Sequence, residues 1–288
     1  MGRCSLRSVA ANEPLAGTAS RIRHWLLIEH GGPWGRDGLL DARLAEGVGA
    51  GLRALEARSG ARVLLIRRPL RTGRDEGVVC VAIDTRDAWI GASRIRRVRD
   101  ALNLDPRDRP AFGSTDEPLF VVCTHGRRDP CCAERGRPLA RATALAAPTL
   151  VWESTHVGGD RFAANLVAFP HGLYFGRVEP EEGPEIVDAY RDGRIAHLRR
   201  YRGRTIHPTP VQAAEAALRQ QRGLGRVDDV ALDRVRHDGD RVVVSFVTPA
   251  GTAVVTVERS LQPAMRLTCH SGQELPAPVW RPIDDGRR

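Results

Sequence analysis

The sequence predicts an α/β protein, with a helix-flanked sheet in its middle and a small α+β unit carrying an antiparallel meander at its end. Three observations carry this prediction. Apolar runs of strand length alternate with amphipathic helical stretches over the first two thirds of the chain. Residues 118–191 order their elements β-α-β-α-β-β-α. After residue 205, one helix precedes three β-rich runs broken by Asp238-Gly239 and by Pro249–Gly251. The 288 residues are 42% hydrophobic and 27% charged, which suffices for a core without disulfides or a metal. No apolar run reaches the roughly 18 residues of a membrane span. Residues 1–20 lack the apolar stretch of a secretory signal, so a cytoplasmic location is expected.

The first unit is read as an α/β domain over 1–117. HWLLIEH (24–30) is a buried strand and GGPWGRDG a loop. Leu40, Leu44, Val48, Leu52 and Leu55 recur at helical spacing, predicting a helix over 38–58, although Gly47, Gly49 and Gly51 weaken it. ARVLLIRRP and EGVVCVAID follow as two strands, and the Pro- and Asp-rich stretch 103–117 reads as a linker.

The second unit is placed at 118–204. PLFVVCTH supplies a strand at 118–123, GRRDPC a loop, and Leu139, Ala142, Leu145 and Ala146 mark a helix over 133–146. APTLVWES is the next strand, and HVGGDRFAAN turns into a short helix. LVAFPHGLYFGRV gives two strands about Pro170, His171 and Gly172, and PEEGPEIVDAYRDG gives a helix. This is the thioredoxin order of elements. The third unit, 205–288, opens with Thr209-Pro-Val-Gln212, read as a capping box with proline at the first helical position. Val211, Ala214 and Leu218 form its apolar stripe. DVALDRVR, RVVVSFV and AVVTVER make the meander, and the tail LTCHSGQELPAPVWRP reads as irregular.

The net charge is +9, and all 44 basic residues are arginine, which together with abundant Ala and Gly looks like the codon bias of a high-GC bacterium. Residues 62–99 hold ten Arg against four acids, and 191–204 hold six against Asp192 alone. Such a surface can meet nucleic acid, phosphate or an acidic protein, or simply be solvated. Aromatic content of 5% and the lack of an RNP, helix-turn-helix or zinc-finger pattern argue against nucleic acid.

Six cysteines stand at 4, 80, 123, 131, 132 and 269. Cys80, inside GVVCVAI, reads as a small buried hydrophobe. Cys123 ends a strand, Cys131 and Cys132 precede a helix, His156 follows the next strand, and Asp160 precedes a short helix. In a thioredoxin-like sheet these positions converge from two loops at one edge. Sulfur donors with an imidazole suit zinc or an iron–sulfur cluster. The spacing C-x₇-C-C matches neither a zinc knuckle nor the common ferredoxin runs. Plain thiols at Cys131 and Cys132, a core histidine at 156 and a helix cap at Asp160 are the competing readings. His125 is expected to bond backbone, and Asp129 to serve a turn. Cys269-His270 in the tail reads as incidental or as an approach to the cluster.

CTHGRRDPCCAERGRPLA followed by HVGGDRFAANLVAFPHGLYFGRV resembles the sucrase/ferredoxin-like family of thioredoxin-like [2Fe–2S] proteins, and RCSLRS, EPLAGTAS, WLLIEHGGPWGRD and TIHPTPVQAAEAALR look like its actinobacterial members. The resemblance implies cluster ligands at Cys123, Cys132 and His156. The family's fourth ligand, a second histidine, falls at Asp160. Either Asp160 coordinates, or it caps the helix at Arg161 and Cys131 donates instead, or another residue closes the site; sulfur being softer, the second arrangement is preferred here. Two neutral histidines raise Rieske-type potentials to about −150 to +300 mV, against about −400 mV for plant-type ferredoxins, and one His with a carboxylate is expected below the two-His case.

The function expected is cytoplasmic electron transfer by a mixed Cys/His [2Fe–2S] centre, with a redox partner protein of acidic surface and no substrate pocket of its own. The alternative is a zinc-stabilised binding module using the same residues. A thiol oxidoreductase at Cys131-Cys132 is disfavoured, because adjacent cysteines close a strained ring. Arg127, Arg128 and Arg161 are placed beside the site, to offset its charge or to dock a partner.

Overall fold

The computed structural model describes residues 2–70 and 77–284. Arg71 and Arg74 of the basic stretch, and Glu76 at the head of EGVVCVAID, lie outside the described residues. After a short helix α1 (Cys4–Ala10), the chain builds β1 (His24–Glu29), α2 (Val48–Ser59), β2 (Arg62–Arg67), β3 (Val78–Asp84), β4 (Trp89–Ile95) and β5 (Gly113–Ser114). Then come β6 (Leu119–Cys123), α3 (Pro130–Ala146), β7 (Val151–Ser154), β8 (Leu166–Phe169), β9 (Leu173–Phe175), α4 (Glu182–Arg191) and β10 (Tyr201–Arg204). All ten strands lie in one sheet, in the order β10-β9-β8-β6-β7-β2-β1-β3-β4-β5.

The middle unit has the thioredoxin-like topology that its element order predicts. Strand β7 is parallel to β6 through the α3 crossover, β8 is antiparallel to β6 on its other side, and β9 is antiparallel to β8. The first unit repeats this pattern: β2 parallel to β1 through α2, then β3 and β4 antiparallel in turn. The repeat escapes sequence reading because β4 carries Gly91 and Ser93 and has no clean apolar alternation. The two units meet edge to edge where β2 pairs antiparallel with β7, at Ile66↔Ser154 and Arg67↔Glu153. An ion pair of 2.6 Å between Arg67 Nε and Glu153 Oε2 reinforces the join.

Alternation along the strands divides the core into layers. One face carries Trp25, Leu27, Ile66, Val121, Trp152 and Val167 as a continuous apolar layer across both units. The opposite face packs Leu26 and Ile28 under Leu52 and Leu55 of α2, and Phe120 and Val122 under Leu139 of α3 and Ile186 of α4. A separate four-stranded meander of β11 (Ala231–Asp238), β12 (Arg241–Thr248), β13 (Gly251–Leu261) and β14 (Pro278–Ile283) follows; α5 (Thr209–Arg222) lays Val211, Ala214 and Leu218 on it and places Ala216 in the core of Phe175 and Tyr201.

Several expected elements are corrected. The first long helix starts at Val48, not residue 38, because the Asp37 carboxylate accepts the amides of Leu39 and Leu40 at 2.9 Å each and holds a turn there. Within 103–117, a 3-10 turn (Arg109–Ala111) and β5 replace a plain linker. Helix α3 begins at Pro130, earlier than expected, because Asp129 caps it and proline fits its first turn. The short helix expected within HVGGDRFAAN is a single 3-10 turn, Asp160–Phe162. The capping box at Thr209 is not formed, since Pro208 is the N-cap and makes no side-chain bond. Gln212 is buried instead and bonds Ala19 N, Ala19 O and His207 O. The tail is not wholly irregular, because β14 pairs with β13. Among the described residues no helix is long and apolar enough to cross a membrane.

Candidate metal centre

The loop after β6 and the first turn of α3 set the site. Asp129 takes extended backbone and its carboxylate accepts the Cys131 amide at 2.9 Å, which starts the helix. Cys131 and Cys132 then fall on consecutive helical positions, roughly 100° apart about the axis, so their thiols leave in different directions. Cys132 turns inward to Cys123 and His156, and Cys131 turns to Cys4 and Cys269.

Cys123 and Cys132 are buried, and His156, on the loop after β7, is half-buried. His156 Nδ1 lies 3.9 Å from Cys123 Sγ and 4.0 Å from Cys132 Sγ. The buried Asp160 carboxylate completes the group, with Oδ1 at 3.3 Å from Cys132 Sγ and 3.0 Å from His156 Nδ1. The hydrogen bond from Cys132 holds the Cys123 thiol well below its ordinary pKa, helped by His156, and the same bond holds Cys132 well above. Burial opposes a charge on His156, but the Cys123 hydrogen bond and charge, with Asp160, raise its pKa. Burial raises that of Asp160.

Two preferences from the sequence are overturned. Asp160 is not a cap: Gly159 occupies the N-cap position in a left-handed conformation, and no side-chain cap bond forms. Cys131 does not reach Cys123, Cys132 or His156, because of its direction on the helix, and Asp160 sits where it was expected to donate. Cys269 approaches Cys131 and Cys4, not the Cys123 group. Cys80 is fully buried in β3, as its apolar run implied. Asp129 is a helix cap rather than only a turn residue.

The surrounding shell was partly legible. His125 does bond backbone: Nε2 lies 2.9 Å from Gly35 O, and Nδ1 accepts the His156 amide at 3.2 Å. These partners assign a neutral ring protonated at Nε2, and burial lowers its pKa in the same sense. His125 thereby ties the His156 loop to the first unit. Arg62, whose guanidinium donates to His156 O at 3.1 Å, adds a second tie that no local pattern announced. A cavity of about 220 Å³ opens beside His156, lined in part by Arg36, Arg53, Arg62 and Arg128. Arg127 and Arg128 are exposed, whereas Arg161 is engaged with the buried Glu13 at 2.7 Å.

Two thiols, an imidazole and a carboxylate can together hold a metal ion or an iron–sulfur cluster, since each is a ligand type for such centres. The Cys123–Cys132–His156 donors all lie within 4.8 Å of one another. The positive end of α3 beside Cys132 and the His156 imidazole favour a thiolate-bound centre against the burial of the two sulfurs.

The chain is similar to several known proteins. "Altered inheritance of mitochondria protein 32" of Meyerozyma guilliermondii is 34% identical over 99 residues, covering 31% of this chain. The chain spans 35% of that relative's length. The thioredoxin-like [2Fe–2S] ferredoxin of Aquifex aeolicus aligns over 33% of this chain and 97% of its own at 18% identity, with a TM-score of 0.29. A cysteine-to-serine variant of it aligns over 30% and 97% at 19% identity, with a TM-score of 0.26. The sucrase/ferredoxin-like family model matches residues 15–203, which take in both topological repeats and the loops that bring Cys123, Cys132 and His156 together. On that match through most of its length, the chain belongs to the sucrase/ferredoxin-like family.

Proposed function

We propose that the protein is a cytoplasmic electron carrier whose [2Fe–2S] cluster is held by Cys123, Cys132, His156 and Asp160. The observation that carries this reading is the donor set itself. Two buried thiols stand on one side, and a half-buried imidazole with a carboxylate stands on the other. The cluster would supply a site for one electron at a time. Cys123 and Cys132 would bind on the sheet side and His156 Nδ1 and Asp160 Oδ1 on the other, while His125 and Arg62 hold the His156 backbone. Val157 is buried in the same apolar cluster as Cys123 and Cys132. Of the four donors His156 lies nearest solvent and would present the centre to a redox partner. Exposed Arg127 and Arg128 suit a redox partner of acidic surface.

One observation favours a second reading, a zinc-stabilised module. The contacts of 3.0–4.0 Å among these donors resemble the edge of one tetrahedral zinc–sulfur site, about 3.8 Å for bonds of about 2.3 Å. Anaerobic purification with iron, sulfide and zinc analysis separates the two readings. Two irons, two sulfides and visible absorbance per chain are expected, all lost in Cys123→Ser. Asp160→Asn should lose the cluster, and Asp160→His should keep it at a higher potential. Colourless protein with zinc bound to Cys123, Cys132 and His156, which Cys123→Ser removes, would overturn the electron-carrier reading.

A further inference from the structure

A second group of donors lies on the outer side of α3's first turn. Cys4, Cys131 and Asp129 are buried there and Cys269 is half-buried. The three sulfurs form a nearly equilateral triangle: Cys4–Cys131 3.6 Å, Cys131–Cys269 3.4 Å and Cys269–Cys4 3.5 Å. The Asp129 carboxylate stands over it, its oxygens 3.6 and 3.8 Å from Cys4 Sγ. We propose that Cys4, Cys131, Cys269 and Asp129 form a second, closed metal site that takes one thiophilic divalent cation of the Zn²⁺ type.

Three arguments support it. The first is geometry. The triangle approaches the tetrahedral edge of about 3.8 Å set by zinc–sulfur bonds of about 2.3 Å, and is far too wide for any S–S bond, near 2.05 Å. It is also too small for sulfurs bound to different irons of a cluster. A disulfide would use two of the three thiols and strand the third beside a carboxylate.

The second is the hydrogen bonding aimed at the sulfurs. Cys4 N–H points at Cys269 Sγ from 3.4 Å, and Ser5 Oγ lies 3.3 Å from Cys131 Sγ. Such donors stabilise thiolate charge, as the outer partners of a metal site do. Asp129 accepts the amides of Cys131 at 2.9 Å and Cys269 at 2.7 Å, one on each oxygen, which leaves each oxygen a further lone pair for a metal.

The third is what the site would hold in place. Helix α1 spans seven residues, and its large apolar side chains Leu6 and Val9 are exposed at 52% and 51%. A helix this short is marginal by itself, and α1 buries Cys4, Ser5 and Ser8 instead of an apolar stripe. A metal at Cys4, Cys131 and Cys269 joins α1 and the 262–277 segment to the start of α3, one residue from Cys132. Binding requires no electron transfer: the three thiols release their protons to solvent and their sulfurs take the cation. The inference stands whichever metal the Cys123 group holds.

The test uses the full chain, purified anaerobically from cells supplied with iron and zinc, with elemental analysis. One zinc per chain is expected that is independent of Cys123. It persists in Cys123→Ser and is lost in Cys4→Ser/Cys269→Ser, while the metal of the Cys123 group is retained. Should the double variant fail to fold, cobalt(II) titration of demetallated Cys123→Ser protein serves instead. One equivalent should give intense sulfur-to-cobalt charge-transfer absorption and tetrahedral ligand-field bands. Zinc retained in a folded double variant, no cobalt–thiolate spectrum, or an intact mass two hydrogens light with a disulfide mapped among Cys4, Cys131 and Cys269 would each overturn the proposal.

Discussion

Gly136→Ala is expected to injure the Cys123 centre without touching a donor. Gly136 faces the end of β6 from the second turn of α3. A Cβ built there would lie 2.1 Å from the Cys123 carbonyl oxygen and 3.1 Å from its carbon. Both are backbone atoms of a central strand and cannot rotate aside, so α3 has to retreat by about 1 Å to reach ordinary contact. Overpacking of this kind costs about 1–3 kcal/mol, with the rigid partner placing it toward the top. The better helix propensity of alanine returns about 1 kcal/mol, leaving a net loss of about 2 kcal/mol. The same retreat draws Cys132 from Cys123, and loosening the support of metal ligands typically costs 10–100-fold in affinity. The control is Gly51→Ala in α2, where the new Cβ meets only the tip of the Leu102 side chain at 2.8 Å, which can swing away. Denaturant midpoints and the chelator concentration that strips the metal would be measured for both variants. If Gly136→Ala matches Gly51→Ala in both, the tight α3–β6 contact does not hold the centre together.

Two further predictions follow from buried ionisable groups. His171, whose Nδ1 lies 2.6 Å from the Tyr190 hydroxyl, is pushed down to about 4 by burial. The folded protein keeps it neutral while the unfolded chain protonates near 6.5, so its stability contribution is present above pH 6.5 and falls as pH drops toward 4; about 2 kcal/mol should go between pH 8 and 5. His24, His30, His125 and His207 shift in the same sense, so His171→Gln should shrink the measured slope by that amount and not abolish it. Glu215 is fully buried, with Oε1 at 2.9 Å from Arg219 Nε and 3.3 Å from Arg204 Nε. Glu215→Gln strands buried positive charge and should cost about 3–5 kcal/mol in urea or thermal unfolding; a loss below about 1 kcal/mol would mean that water or carbonyls already balance those arginines.

Much of this protein is legible in local pattern. Apolar runs such as HWLLIE and LFVVC became buried strands, because a strand flanked on both faces has no polar side to show. The order of elements in 118–191 became the thioredoxin-like topology, since short connections and a handed crossover leave few alternatives. Cys123, Cys132 and His156 were singled out for their places at strand ends and a helix start, and the fold brings them together. Other features arise from contacts far apart in sequence. The first unit's repeat of the same topology depends on which edges pair, which strand composition does not encode. Cys131 and Cys132 look equivalent in a sequence, yet one step along a helix turns them into different surroundings. Cys4 and Cys269 lie 265 residues apart, and only the folding of α1 and the 262–277 segment against α3 brings their sulfurs to 3.5 Å. Asp160 carries the features of a cap in one dimension. In three dimensions, the left-handed Gly159 takes the cap position and frees the carboxylate to face Cys132 and His156.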